Sequence, residues 1–431
     1  MVFIFFRKGK GKTGYVPTKI GGRGVFAVEC FRRPLEVRLS DIGPCWSVLF
    51  AYIRRVTYFR PRIVTEKQLS NTFSMYMNRL LLGMMLPLVL MAGSSCTDDD
   101  EYTQGQWMKR SGFEAEPRAY ACSFTIGDKG YLCGGFRGAN KEYMNDLWVY
   151  DMDNNNWEQL ADMPTVGRKY ATAFALNGKG YVTTGSVKDG SYSNYVADTW
   201  EYDPSTDAWT QKDDFKGGPR DGALAFVVGG YAYVGTGYNE DTQGSYKDFY
   251  RFDPNAAAGS QWTKDAGNGG GPEKRAYGTA FVIDDVAYVC CGTDNSTNLT
   301  DFWKFDGSTW TQLRDIANTN DDEDYDDDYA IARYSTVSFV IDGYAYIATG
   351  YRSGVTADYW KYDPDQDLWY GDSDDDFTPL TDVHNNYSGA SSRDGAVSFS
   401  NGERGFVLTG QSGGSYFDDV YELLPDEQEE V

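Results

Sequence analysis

Residues 168–185 read RKYATAFALNGKGYVTTG. Small alanines at 171, 173 and 175 alternate with Thr172, Phe174 and Leu176, Asn177-Gly178 supplies the dipeptide of a two-residue hairpin turn, and a second apolar run closes on Thr184-Gly185. That pattern is two short antiparallel strands joined by a tight turn. The same pattern recurs five more times. RAYACSFTI begins at 118, RDGALAFVV at 220, RAYGTAFVI at 275, RYSTVSFVI at 333 and RDGAVSFSN at 393, and each runs on into KGYLCGG, YAYVGTG, VAYVCCG, YAYIATG or RGFVLTG. The chain is therefore built on an internal repeat of about fifty residues, a period that belongs to arrays and propellers.

Working outward from the hairpin, each repeat carries a third strand: NDLWVYD, ADTWEYD, KDFYRFD, TDFWKFD, ADYWKYD and DDVYELL. A fourth bears a Trp in NNWEQL, DAWTQK, SQWTKD, STWTQL and DLWYGD. Composition agrees with an all-β chain: 48 Gly, 33 Tyr and 16% aromatic residues suit short strands and tight turns better than helices. Four strands per repeat, paired small residues closing the second and a Trp in the fourth resemble the kelch β-propeller family over residues 106–424. Kelch blades usually end the second strand in Gly-Gly. Here only Gly134-Gly135 does so, and the Thr-Gly and Cys-Gly endings elsewhere are closer to the secreted kelch proteins of Bacteroidota-type bacteria.

The sixth repeat stops at Glu422-Leu423-Leu424 without a Trp strand, and an unassigned segment, QWMKR at 106–110, precedes the first. Trp107 stands before Arg118 as Trp157 stands before Arg168. The expectation is a six-bladed β-propeller, four antiparallel strands per blade, whose last blade is closed by this N-terminal strand, which leaves no open edge. Residues 425–431 then form an acidic tail.

Strand alternation also assigns loops to faces. The second-to-third loops and the blade-to-blade connections share one face and hold the long insertions, including 136–145, 186–197, 238–247, 315–332 and 371–392. Long loops on a rigid scaffold are where binding usually sits. The same face receives Arg118, Arg168, Arg220, Arg275, Arg333 and Arg393. Two readings are open: a ring that clamps an anionic ligand through bidentate hydrogen bonds, or structural ion pairs with Asp146, Asp198, Asp248, Asp301, Asp358 and Asp419, which open the third strands. Phe136, Tyr238 and Tyr351, which follow the second strands, break the periodicity and are candidate ligand-binding aromatics, since rings stack on the apolar faces of sugars and anchor interfaces.

The N-terminal region is of another kind. Residues 1–76 carry 14 Lys+Arg against Glu29, Glu36, Asp41 and Glu66, a local charge of +10, so residues 77–431 sum to −33 within the total of −23. Such an acidic body argues against nucleic acid. MNRLLLGMMLPLVLMAGSSC, residues 77–96, has an apolar core from Leu80 to Ala92, too short to span a bilayer but suited to a secretory signal. Its ending resembles the lipobox of bacterial lipoproteins, which implies a signal peptide over 77–95 and lipidation of Cys96. Residues 96–105 are then an acidic tether, residues 1–76 an upstream segment from a misplaced start or a basic extension, and the location the bacterial outer membrane.

For chemistry, the chain holds one His, His384. That excludes the two-His copper site of galactose-oxidase relatives. The acidic runs 321–329 and 372–377 read as solvated loops or as calcium ligands, with no EF-hand spacing. Cys122 faces Cys133 if Gly127-Asp128 is the hairpin turn, so a cross-strand disulfide is conceivable. No cofactor is expected. The resulting expectation is a monomeric, non-catalytic, envelope-anchored protein that binds a glycan or protein ligand with its loop face. The alternative is a metal-independent mutarotase of the sialic-acid kind.

Overall fold

The computed structural model describes residues 102–189, 192–242, 244–265, 267–318, 329–371, 377, 379–380 and 390–430. Cys96, His384 and most of both acidic runs lie outside them, as do the segments 1–76 and 77–95. Among the described residues are six four-stranded antiparallel sheets. The first comprises Cys122–Ile126, Lys129–Arg137, Glu142–Asp151 and Asn156–Leu160, paired in chain order. The next four have innermost strands Thr172–Leu176, Leu224–Val228, Thr279–Ile283 and Val337–Ile341.

The hairpins form where the turn chemistry permits. Asn177 and Gly178 have φ of 55° and 74°, and Asp342 and Gly343 have 50° and 82°, both central residues left-handed as the strand twist requires. Alternation then places one Phe and one Tyr opposite each other on the buried face. Phe124 stacks on Tyr131 at 4.8 Å, and the same stack recurs at 174/181, 226/233, 281/288 and 339/346. These rings pack against the neighbouring sheet: Phe174 and Tyr181 share a core with Phe252 and Trp262 of the following blade. The fourth-strand Trp therefore belongs to the joint between blades as much as to its own sheet.

A circle of backbone hydrogen bonds ties the six sheets together. Tyr170 N donates to Tyr120 O, Gly222 N to Tyr170 O, Tyr277 N to Gly222 O, Ser335 N to Tyr277 O, Gly395 N to Ser335 O, and Tyr120 N back to Gly395 O, at 2.7 to 3.1 Å. All six residues have φ between 50° and 61°. Each lies two positions after a repeat arginine, so one kinked residue per blade builds a closed collar.

The last sheet contains Val397–Ser400, Gly405–Leu408, Val420–Glu430 and, outermost, Tyr102–Lys109. Trp107 sits opposite Leu423 and is buried against Phe339 and Tyr359 of the preceding blade. The pairing runs further than expected: Tyr102 faces Glu430, so the expected tail is largely strand. An irregularity between Gln104 and Gln106 carries the ladder past Pro425, which has no N–H to donate. Glu422 fastens the closure, accepting from Arg110 of the N-terminal segment at 2.5 Å and from Arg404 at 2.6 and 2.9 Å.

Candidate functional site

The arginines are built into the blades. Each begins the approach to an innermost strand and is 0–1% exposed. Arg118 reaches Asp146 at 2.6 and 2.9 Å, Arg168 reaches Asp198 at 2.8 and 2.9 Å, and Arg333 reaches Asp358 at 2.8 and 2.6 Å. Arg220–Asp248, Arg275–Asp301 and Arg393–Asp419 repeat the pair. Every one also donates Nη1 to the carbonyl sixteen residues ahead, such as Gly134 or Thr349. In four blades the third-strand Trp donates Nε1 to the same carboxylate, as Trp200 does to Asp198 at 2.7 Å. Burial pushes the Asp358 carboxyl up, but the Arg333 guanidinium outweighs it and holds the group below the usual carboxylate range. The anion-clamp reading of the ring is corrected accordingly: these guanidinium groups are spent inside the scaffold, because a buried charge must be paired to be tolerated.

What the collar presents at the channel mouth is asymmetric. Its six side-chain positions are Tyr120, Tyr170, Gly222, Tyr277, Ser335 and Gly395. Tyr120 and Tyr170 are 4.4 Å apart between ring centroids, and Tyr170 and Tyr277 are 4.7 Å apart. The two glycines make this possible: a Cβ on Gly222 would collide with the Tyr277 ring, and one on Gly395 with the Tyr120 ring. Below the mouth, the innermost strands line a cavity of about 350 Å³ with small residues such as Ala121, Ser123, Ala173, Ala225, Ala280 and Ser338, and no charged side chain.

Two buried carboxylates flank the tyrosines. Asp221 accepts a hydrogen bond from the Tyr277 hydroxyl at 3.0 Å, and burial pushes its carboxyl up to about 6 despite that bond, Ser186 and the Lys169 charge. Asp394 lies beside Tyr120 and accepts from the Gln411 amide, and burial raises its carboxyl as well. Burial likewise raises the phenols of Tyr120, Tyr170 and Tyr277. Lys169 completes the group. Its Nζ lies 5.1 to 6.0 Å from the rings of Tyr170, Tyr143, Phe136 and Tyr120.

The candidate aromatics sit around this cluster. Tyr238 pairs in backbone with Asp221 and lies 6.5 Å from Tyr195, Tyr351 packs on Tyr334 at 5.2 Å, and Phe136 lies between Tyr143 and Tyr416. All three are half-buried on the loop face. Tyr120, Tyr170, Tyr277, Asp221, Asp394 and Lys169 escape a reading of loops, because they lie at the starts of the innermost strands. Their signal was present in the repeat itself: after the constant Arg, the second and third residues vary, and Arg-Asp-Gly occurs twice, three blades apart. Cys122 and Cys133 do face each other in register; both are free and buried, and the Cys122 thiol donates toward Cys133 O at 3.5 Å. Hydrogen bonding from Cys122, then burial, pushes the Cys133 thiol well up. Among the described residues no group of three or more His, Cys, Asp or Glu is placed to hold a metal ion. The calcium expectation falls on residues outside them.

Comparison with known proteins places this geometry. Kelch-like protein 25 of Xenopus tropicalis is 26% identical over 59% of this chain, and Kelch-like protein terF of Aspergillus terreus is 29% identical over 41%. The N-acetylneuraminate epimerase of Yersinia pestis is 28% identical over 23% of the chain. The matches cover 40%, 39% and 27% of those proteins' own lengths. The solved structure of YjhT superposes with a TM-score of 0.54 at 16% identity, covering 72% of this chain and 95% of that one, a likeness of fold. The model of the Attractin/LZTR1 β-propeller matches residues 99–360. With more than half of its length matched and kelch-type repeats over residues 106–424, the chain belongs to the Attractin/LZTR1 β-propeller family.

Proposed function

We propose that the protein is a non-catalytic binding protein that recognises a glycan at the channel mouth on its loop face. The observation that carries this reading is the tyrosine group Tyr120, Tyr170 and Tyr277 set between Asp221 and Asp394. Aromatic faces take the C–H faces of sugars, and carboxylate-backed hydroxyls take their polar edges. Tyr238 and Tyr351 frame the same mouth. The proposal includes a lipid anchor at Cys96 and a bacterial outer-membrane location, supported by the apolar segment, Gly-Ser-Ser-Cys ending and acidic run of residues 77–101, and a monomeric state.

Screening the protein on a glycan array against Tyr238→Ala and Tyr351→Ala tests the reading. Retention of a glycan by the wild type and its loss in the variants supports it; capture of protein partners with no glycan retained refutes it. A Cys96→Ala variant that still fractionates with membranes refutes the anchor.

One observation favours a second reading, a metal-independent sugar mutarotase. Asp221 is buried at the mouth with a carboxyl near 6, the range of a group that exchanges protons at neutral pH, and a matched relative is named as an N-acetylneuraminate epimerase. Anomer exchange by NMR separates the two readings, since a binder retains sugar without accelerating exchange.

A further inference from the structure

The two Arg-Asp-Gly sequences, Arg220-Asp221-Gly222 and Arg393-Asp394-Gly395, stand three blades apart in the collar. The two share a packing arrangement. In each, the Gly leaves space and the Tyr of the next blade folds over it, Tyr277 over Gly222 and Tyr120 over Gly395; Asp221 accepts from the Tyr277 hydroxyl, while Asp394, beside Tyr120, accepts from the Gln411 amide. The Tyr170 ring fills the gap between Tyr120 and Tyr277. The mouth is thus crossed by a continuous line running Asp394, Tyr120, Tyr170, Tyr277, Asp221, with an approximate twofold relation between its ends.

Length follows from the collar. Neighbours joined by backbone hydrogen bonds lie about 4.8 Å apart, so positions three apart in a ring of six face each other across roughly 10 Å. That span exceeds one pyranose ring. Both aspartates are buried, at 4% and 6% exposure, whereas Tyr120 and Tyr277 are half-buried, so the phenols are the groups a ligand reaches and the carboxylates stand behind them. The Tyr277 phenol donates its hydrogen to Asp221 and so presents a stronger acceptor oxygen outward. Charge narrows the class further, since an anionic ligand would face two aspartates and a cationic one would face Lys169 in its aromatic surround.

Resting on the glycan reading above, we propose that the mouth is a two-ended site for a neutral oligosaccharide. The sugar chain lies across Tyr170, and a hydroxyl at each end donates to the phenol oxygens of Tyr120 and Tyr277. Tyr120 and Tyr277 contact the sugar, and Asp221 positions Tyr277.

The test measures binding of a neutral oligosaccharide series, from monosaccharide to tetrasaccharide of one retained sugar, to the described chain and to Tyr120→Phe and Tyr277→Phe. The Phe variants keep the rings and their packing. The expected result is a tetrasaccharide bound at least tenfold more tightly than the monosaccharide, with each Phe variant losing about tenfold on the tetrasaccharide. A monosaccharide bound as tightly as the tetrasaccharide, or loss confined to one of the two variants, overturns the two-ended site while leaving glycan recognition standing. That length comparison uses the unaltered protein and does not depend on how a variant folds. Retention of no glycan, or of charged glycans alone, overturns the inference, and the first of these removes the glycan reading with it.

Discussion

Asp221 is a buried carboxyl held at a cost to stability. Burial lifts its carboxyl from an ordinary 3.8 to about 6, so between those values the folded protein keeps a proton that the unfolded chain has lost. Stability is therefore lost as pH rises through that window, a displacement worth about 3 kcal/mol between the two protonation states. Asp221→Asn, which still accepts from Tyr277, should stabilise the protein by about 2 kcal/mol at pH 7.5, with the gain vanishing below pH 4; denaturant melts at the two pH values check this. The arginines behave in the opposite sense. Arg333→Ala leaves Asp358 buried beside Trp360 without its counter-charge and should cost about 3 to 5 kcal/mol. Equilibrium unfolding measures that cost, and a change below 1 kcal/mol would return Arg333 to the pool of ligand-facing groups. At this scale the sequence was legible where residues repeat: six Arg and six Asp at fixed spacing announce a pair. At Tyr120, Tyr170 and Tyr277 it was legible only as variation after the repeat Arg, because their meeting depends on which residue falls opposite which in a closed collar.

Among the elements, the N-terminal strand carries the most consequence. Trp107 fills the joint that Trp157, Trp262 and Trp310 fill elsewhere, against Phe339 and Tyr359, and Arg110 adds a charge to the Glu422 network. Trp107→Ala should cost about 3 to 5 kcal/mol, and removal of residues 106–110 should lower the melting temperature sharply. An unchanged melt would show that the sheet closes without this strand. The strand was readable as a missing Trp at the end of the repeat and a spare one at its start. Its extension to Tyr102–Glu430 was not, since Pro425 and a polar run give no strand signal, and only pairing with a neighbour, across an irregularity at Gly105, makes them strand.

Over the whole propeller, periodic residues make the ring and departures from period make the site. The phenylalanine–tyrosine stacks of five blades, and the Arg–Asp pairs and backbone collar of all six, are periodic and offer nothing to an asymmetric ligand. The mouth differs because two blades place Gly, and one Ser, where three place Tyr. The small-residue channel beneath it is uncharged, which leaves the tyrosine line and its two aspartates as the distinctive chemistry on the axis. The measurement that tests this most directly is a crystal structure with the retained glycan bound. The account predicts sugar density lying across Tyr120, Tyr170 and Tyr277 at the loop-face mouth; density on the short-turn face or along a blade edge, with the mouth empty, would contradict it.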